Sequence, residues 1–175
     1  MVVGPLLDAV AARRMGSSAV AIASKNNRLM VTGLSLGERV AFWMTNLPYW
    51  ALASHLFDGG QWAHAACVAM VAAASTIFHG VVMFGFSFSW YDRATQRLIA
   101  IDILCANAYG GALAYCAGLA ASLRIFGPPV LLLTAGAVLK RRGNSRGYAW
   151  LHGIWHVLSA YGMWHVLMMG PLASL

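Results

Sequence analysis

The chain has 175 residues, of which 60% are hydrophobic and only 10% are charged, and its formal net charge at neutral pH is +7. Soluble domains are nearer half apolar and one quarter charged, so this composition excludes an ordinary soluble protein and indicates an integral membrane protein with one transmembrane domain. The basic residues fall between apolar segments, which is typical of cytosolic loops of membrane proteins and argues against a nucleic-acid partner. An odd number of cysteines inside apolar segments argues against a disulfide framework.

Residues 1–37 form a basic leader ahead of the transmembrane helical domain, which we place at 38–175. The basic character of the leader and its single acidic residue, Asp8, fit either an amphipathic surface helix or an organelle transit peptide. A disordered tail is the third interpretation.

The apolar segments predict an all-α, polytopic transmembrane bundle with about five spans, since each span needs about 20 residues. We place the first span at 39–57, with a kink near Pro48, and the second at 61–86. The last span is predicted at 148–170.

The boundaries in the middle of the chain are harder to place. The third span begins near Arg97, but residues 97–123 are too long for one simple span and too short for two. The Gly110-Gly111 pair and Arg124 are the candidate break points, and a fourth span ends at Leu139.

Three apolar segments carry polar residues in a pattern that indicates one shared site. Ser75 and His79 are spaced i,i+4, as are His152 and His156, so each pair projects from one face of its helix. Asp102 lies in a third apolar segment. Ionisable groups at membrane depth are costly and are found mainly where they pair, line a wet cavity or bind an ion. Three imidazoles, a hydroxyl and a carboxylate are a suitable set for one Zn²⁺ ion and its water.

The order of the spans predicts that these five residues lie at similar depth near one face of the membrane. In an up-and-down bundle, span two ends on the side where spans three and five begin. With this topology every basic residue except Arg124 falls on the same side as the site. The positive-inside rule therefore predicts a cytosolic N-terminus and a site near the cytosolic face, in an endomembrane such as the ER or Golgi or in the plasma membrane.

The chemistry of such a set is metal-assisted hydrolysis. Zinc lowers the pKa of a coordinated water from about 15.7 to about 7, and Asp102 is positioned to accept its proton or to orient it. Ser75 is expected to donate a hydrogen bond to that water or to a developing oxyanion. Because the site opens among lipid chains, we expect the substrate to be a lipid with an amide or ester bond.

At these residues the sequence resembles the CREST superfamily of membrane hydrolases and receptors, which includes alkaline ceramidases, hemolysin III and the progestin/adiponectin receptors, GPI-remodelling lipases and the transmembrane protein 8 group. The shared pattern is Ser-x3-His late in the second helix, Asp early in the third and His-x3-His in the last. The resemblance implies that His79, His152 and His156 bind zinc, that Asp102 engages the zinc water and that Ser75 supports the site.

The chain departs from the family pattern in several places. Family members typically have seven helices, whereas only about 50 residues separate Asp102 from His152 here, so two middle spans are missing. The acidic calcium cluster of alkaline ceramidases is absent, and the interval from His79 to Asp102 is closer to that of the transmembrane protein 8 group. Ceramide is therefore not assigned as the substrate, and Asp92 remains a second candidate for the site carboxylate.

Two other functions compete with hydrolysis. One is a receptor-like or structural membrane protein in which zinc only joins helices. The other is a b-type cytochrome that recruits His64 and His165 together with His79 and His152. Thr45 and Asn46 in the first span are expected to form hydrogen bonds between helices. The sequence does not define the oligomeric state.

Overall fold

A computed structural model describes residues 33–84 and 93–169, so most of the predicted leader and Asp92 lie outside the described residues. The described chain forms six helices and contains no strand, which confirms the predicted all-α bundle. The helices are α1 (Leu36–Met44), α2 (Leu47–Asp58), α3 (Trp62–Phe84), α4 (Arg93–Ala117), α5 (Leu119–Arg141) and α6 (Ser145–Met168).

The predicted first span consists of two short helices rather than one kinked helix. A capping box begins α1, in which the Ser35 hydroxyl accepts the Glu38 backbone N–H and the Glu38 carboxylate accepts the Ser35 N–H. The break at residues 45–46 follows from Pro48, which has no N–H to donate to the carbonyl of Met44 and whose ring crowds that carbonyl. The helix therefore stops at Met44 and restarts with proline in its first turn.

Three of the described helices, α3, α4 and α5, are long and apolar enough to cross a membrane. The break between α4 and α5 lies at Gly118, so both predicted break points, Gly110-Gly111 and Arg124, were wrong. Gly118 has a φ of +80°, a conformation that side chains with a Cβ rarely adopt, whereas glycine inside a helix costs only about 1 kcal/mol and does not force a break.

The exterior of the bundle is apolar, as a lipid-facing surface requires. Only 11% of the most apolar stretch of α4, and likewise of α5, is buried inside the protein. Large side chains such as Leu104, Leu123 and Leu131 are 64–72% exposed, which would be unfavourable in water over so wide an area. These features support the prediction of a membrane protein.

The helix α6 packs closely against α1 and α5 because glycines leave room at the crossings. A Cβ added to Gly153 would lie 3.1 Å from Thr45 Cγ2, and one added to Gly162 would lie 3.0 Å from Ile125 Cγ2. Small residues allow this approach of backbones in membrane bundles. The arrangement brings the start of α6 directly beside the break between α1 and α2.

Candidate metal centre

The three predicted histidine ligands lie together in the bundle. His79 is on α3, while His152 and His156 are one turn apart on α6. Their ring centroids are 5.2 Å apart for His79 and His152 and 4.8 Å apart for each of the other two pairs. One nitrogen from each ring lies within 4.8 Å of the nitrogens of the other two.

The Nδ1 atom of His79 is held from within its own helix. It lies 2.8 Å from the Ser75 carbonyl oxygen and 3.1 Å from the Ser75 hydroxyl. A carbonyl only accepts, so Nδ1 carries the proton and the Nε2 lone pair is free. Ser75 lies on the Nδ1 side of the ring. Its hydroxyl therefore helps to orient the histidine and does not point toward Nε2, the nitrogen that is free to bind a metal ion.

The Nδ1 atom of His156 is held from another helix. It lies 2.8 Å from Thr45 Oγ1, at the C-terminus of α1. Thr45 Oγ1 in turn lies 2.6 Å from the Phe42 carbonyl oxygen. The sequence predicted an interhelical hydrogen bond for Thr45 but gave no indication that its partner would be a site histidine.

His152 differs from the other two histidines because both of its ring nitrogens are buried without a hydrogen-bond partner among the described residues. Aromatic rings hold it instead, with centroids 4.9 Å away for Trp155, 5.1 Å for Tyr148 and 5.6 Å for Phe42. Its position is therefore determined by packing against these rings, and neither nitrogen forms a hydrogen bond with another described residue.

The arrangement fits a divalent metal ion with imidazole ligands. Within residues 33–84 and 93–169, the buried Nε2 atoms of His79 and His156 have no hydrogen-bond partner, and the same is true of both nitrogens of His152. Each unsatisfied buried polar group costs about 1–3 kcal/mol, so these four nitrogens would cost roughly 4–12 kcal/mol with nothing to bind. Nitrogens that bind one tetrahedral zinc ion lie about 3.3 Å from one another, and the ligand atoms of the three histidines lie within 4.8 Å of one another.

Asp102 lies on α4 beside this group but is not one of its three members. The carboxylate interacts with the Ser75 hydroxyl, which also contacts His79. Ser75 therefore connects the carboxylate to the histidine cluster. The five residues predicted from the sequence occupy one neighbourhood of α3, α4 and α6.

The other histidines lie away from this group. His64 precedes His79 by 15 residues on α3, about 22 Å along the helix, and its Nδ1 is 3.0 Å from the Tyr109 hydroxyl. His165 follows His156 by nine residues and lines a separate cavity with Arg124. Among the described residues, the four histidines considered for haem binding do not form one group.

Sequence reasoning missed the aromatic side of the site. The Phe42 ring packs against all three imidazoles, with centroid distances of 5.0–5.7 Å. The Tyr49 ring lies 6.4 Å from His156, and its hydroxyl is 2.6 Å from the Ser159 hydroxyl. Phe42 and Thr45 are spaced i,i+3, as two residues on one helical face would be, but aromatic and threonine residues are too common in membrane helices for this spacing to identify them.

An ion pair joins the N-terminal ends of α1 and α6. Arg146 Nε lies 2.8 Å from a Glu38 carboxylate oxygen. The hydrogen bonds that this carboxylate accepts from Ser35, together with Arg146, lower the pKa of Glu38 below its usual value. The first turns of the two helices are thereby tied, about two to three helical turns before the contact between Thr45 and His156.

Comparison of the chain with family models, curated proteins and solved structures finds no match. The resemblance to the CREST superfamily therefore rests on the motif residues alone.

Proposed function

We propose that this protein is an integral membrane hydrolase that uses a zinc ion held by His79, His152 and His156 to cleave an amide or ester bond of a lipid. The observation that carries the proposal is the set of imidazole nitrogens that lie buried, close together and without hydrogen-bond partners in the part of the chain that the structure describes. Unsatisfied groups of this kind are rare in folded proteins and call for an explanation such as an ion.

The donor set favours zinc over harder cations. Imidazole suits zinc and several transition metals, whereas magnesium and calcium prefer oxygen ligands. Catalytic zinc sites commonly have three protein ligands, and three histidines are one of the known sets. A zinc ion at this position would supply a Lewis acid and lower the pKa of a water molecule.

Asp102 and Ser75 have different roles in the proposed reaction. Asp102 is the only acidic side chain near the three histidines in the described chain, so we assign it as the group that accepts the proton of the attacking water. Ser75 holds His79 through Nδ1 and interacts with Asp102, and we assign it as a positioning residue. The apolar exterior and the position of the site within the helices favour a lipid substrate that reaches the site from the membrane.

The topology that accompanies this proposal has five crossings, with the α1–α2 pair as the first and α6 as the last. We place the N-terminus and the site toward the cytosol because nearly all basic residues fall on that side. The ER, the Golgi or the plasma membrane is the proposed location.

One observation favours a non-catalytic zinc site as the second candidate. Phe42 is buried and packs against all three imidazoles, so an aromatic ring covers one side of the site. In that case zinc would join α3 to α6 without giving water access to the ion. Both candidates share the same three ligands and differ in whether Asp102 affects any lipid.

The metal content of the purified full-length protein tests the shared part of the proposal. Elemental analysis should find about one zinc per chain, and His156→Ala should lose it. The matched control is His165→Ala, which alters a histidine of the same helix outside the group and should retain zinc. Wild-type protein without zinc, or undiminished zinc in His156→Ala, would exclude both candidates.

Lipid analysis then separates the two candidates. Membranes from cells that express Asp102→Asn or wild-type protein are compared by mass spectrometry. A hydrolase predicts that one lipid class accumulates with Asp102→Asn while its cleavage product declines and zinc content stays constant. If the two proteins give identical lipid profiles and contain the same amount of zinc, the hydrolase is excluded and the non-catalytic zinc site is supported.

A further inference from the structure

The contact between Thr45 and His156 assigns a role to the break in the first span. We propose that Thr45 is a positioning residue of the metal centre, which holds His156 in the Nδ1–H tautomer and directs the Nε2 lone pair toward the metal. The inference rests on the proposed metal centre but concerns residues outside its ligand set and outside the motif of the resemblance.

The proton count at Thr45 determines the tautomer. The hydroxyl oxygen lies 2.6 Å from the Phe42 carbonyl oxygen, a separation at which two oxygens need a proton between them. A carbonyl has no proton, so the single proton of Thr45 lies in this bond. The Thr45 oxygen can then only accept from His156 Nδ1 at 2.8 Å. A neutral imidazole has one N–H, and Nε2 is therefore unprotonated.

The helix break is what makes this contact possible. Pro48 ends α1 at Met44 and leaves Thr45 as its C-terminal cap, where the side chain bonds back to the carbonyl three residues earlier. Gly153, one turn before His156 on the neighbouring helix, has no Cβ and admits Thr45 to close contact. A continuous helix or a larger residue at 153 would separate Thr45 from the imidazole.

His79 and His156 are each held by a hydrogen-bond acceptor at Nδ1, but the two acceptors come from different parts of the chain. For His79 the acceptor at Nδ1 is the Ser75 carbonyl of its own helix, and for His156 it is a side chain from α1. Partners of this kind fix ring orientation, and removing one typically lowers metal affinity about 10–100-fold. Since the His156 partner is a side chain, it can be removed by substitution.

The test compares Thr45→Val, which keeps the branched shape but lacks the hydroxyl, with Thr45→Ser, which keeps the hydroxyl. Zinc affinity of the purified full-length proteins is measured by competition with a chromogenic chelator. We expect Thr45→Val to lose about 10–100-fold in affinity and Thr45→Ser to remain near the wild-type value. Equal affinities of Thr45→Val and wild type would overturn the inference, while zinc binding by the wild type would still support the metal centre.

A second measurement needs no folded variant at Thr45. ¹⁵N-histidine NMR of the zinc-free wild-type protein, with His156→Ala to identify the signals, reports which ring nitrogen carries the proton. We expect the Nδ1–H form of His156, and the Nε2–H form would overturn the inference. Because this readout is taken without metal, it tests the tautomer separately from zinc binding, so failure of the tautomer assignment and failure of the proposed function are distinguishable.

Discussion

Zinc should stabilise the folded bundle measurably, because the proposed ligands join two helices that are distant in the sequence. His79 on α3 and the two histidines on α6 are separated by about 70 residues, so the ion can bind all three only when the bundle is folded. Unfolding must then release the ion, and the free energy of unfolding rises with the concentration of free zinc.

The size of the effect follows from the affinity. At a free zinc concentration 100 times the Kd, binding to the folded state alone adds about 2.7 kcal/mol to the free energy of unfolding. For a domain of this length each kcal/mol raises Tm by about 2–4 °C, so we expect a rise of about 5–11 °C. Coordination would satisfy one nitrogen of each ring, and leaving those three nitrogens unpaired costs roughly 3–9 kcal/mol, which favours binding of the ion.

The assay is thermal unfolding of the detergent-solubilised protein, followed by the circular dichroism signal of its helices. It is carried out once with a chelator and once with zinc at a defined free concentration. His156→Ala should unfold at the same temperature in both conditions, whereas His165→Ala should keep the full zinc effect. A wild-type Tm that does not respond to zinc while His165→Ala behaves identically would refute the reasoning that the three imidazoles form one site.

Three other substitutions test the bundle and the division of roles. Gly153→Ala should destabilise the protein by about 1–3 kcal/mol and weaken zinc binding, because its Cβ would lie 3.1 Å from Thr45 Cγ2; unchanged Tm and affinity would contradict this. Gly118→Ala should lower the free energy of unfolding by about 1–3 kcal/mol because residue 118 has a φ of +80°. The control Gly110→Ala, inside α4, should be neutral or stabilising. Equal Tm values for the two variants would contradict this prediction. Asp102→Asn should keep the zinc affinity of the wild type, since Asp102 is outside the ligand group, and a large loss of affinity would make it a ligand.

The sequence was sufficient to predict the helical class and the convergence of the histidines. The i,i+4 spacing places His152 and His156 on one face of α6, and the order of the spans brings that face to the depth of His79. Both inferences rely on fixed quantities, the helical repeat and the alternation of direction between spans, so they do not depend on side-chain packing.

What the sequence could not predict depends on contacts between distant segments. The break at Gly118 was missed because several glycines are available in the middle of the chain and only one adopts a positive φ. Thr45 was interpreted as a helix-packing residue, since nothing in a local pattern identifies the helix that its hydroxyl will meet. The contacts of the Phe42 ring with the histidines likewise join segments that are distant in the sequence.

The unequal support of the three histidines has a consequence for exchange of the ion. His79 and His156 each have Nδ1 in a hydrogen bond, so withdrawing either ring from a bound ion would also break that hydrogen bond. His152 is retained by neighbouring rings alone and lies one turn nearer the polar rim where Arg146 meets Glu38. If the proposed ion binds, its loading and release should therefore begin at His152, the ligand whose withdrawal breaks no hydrogen bond.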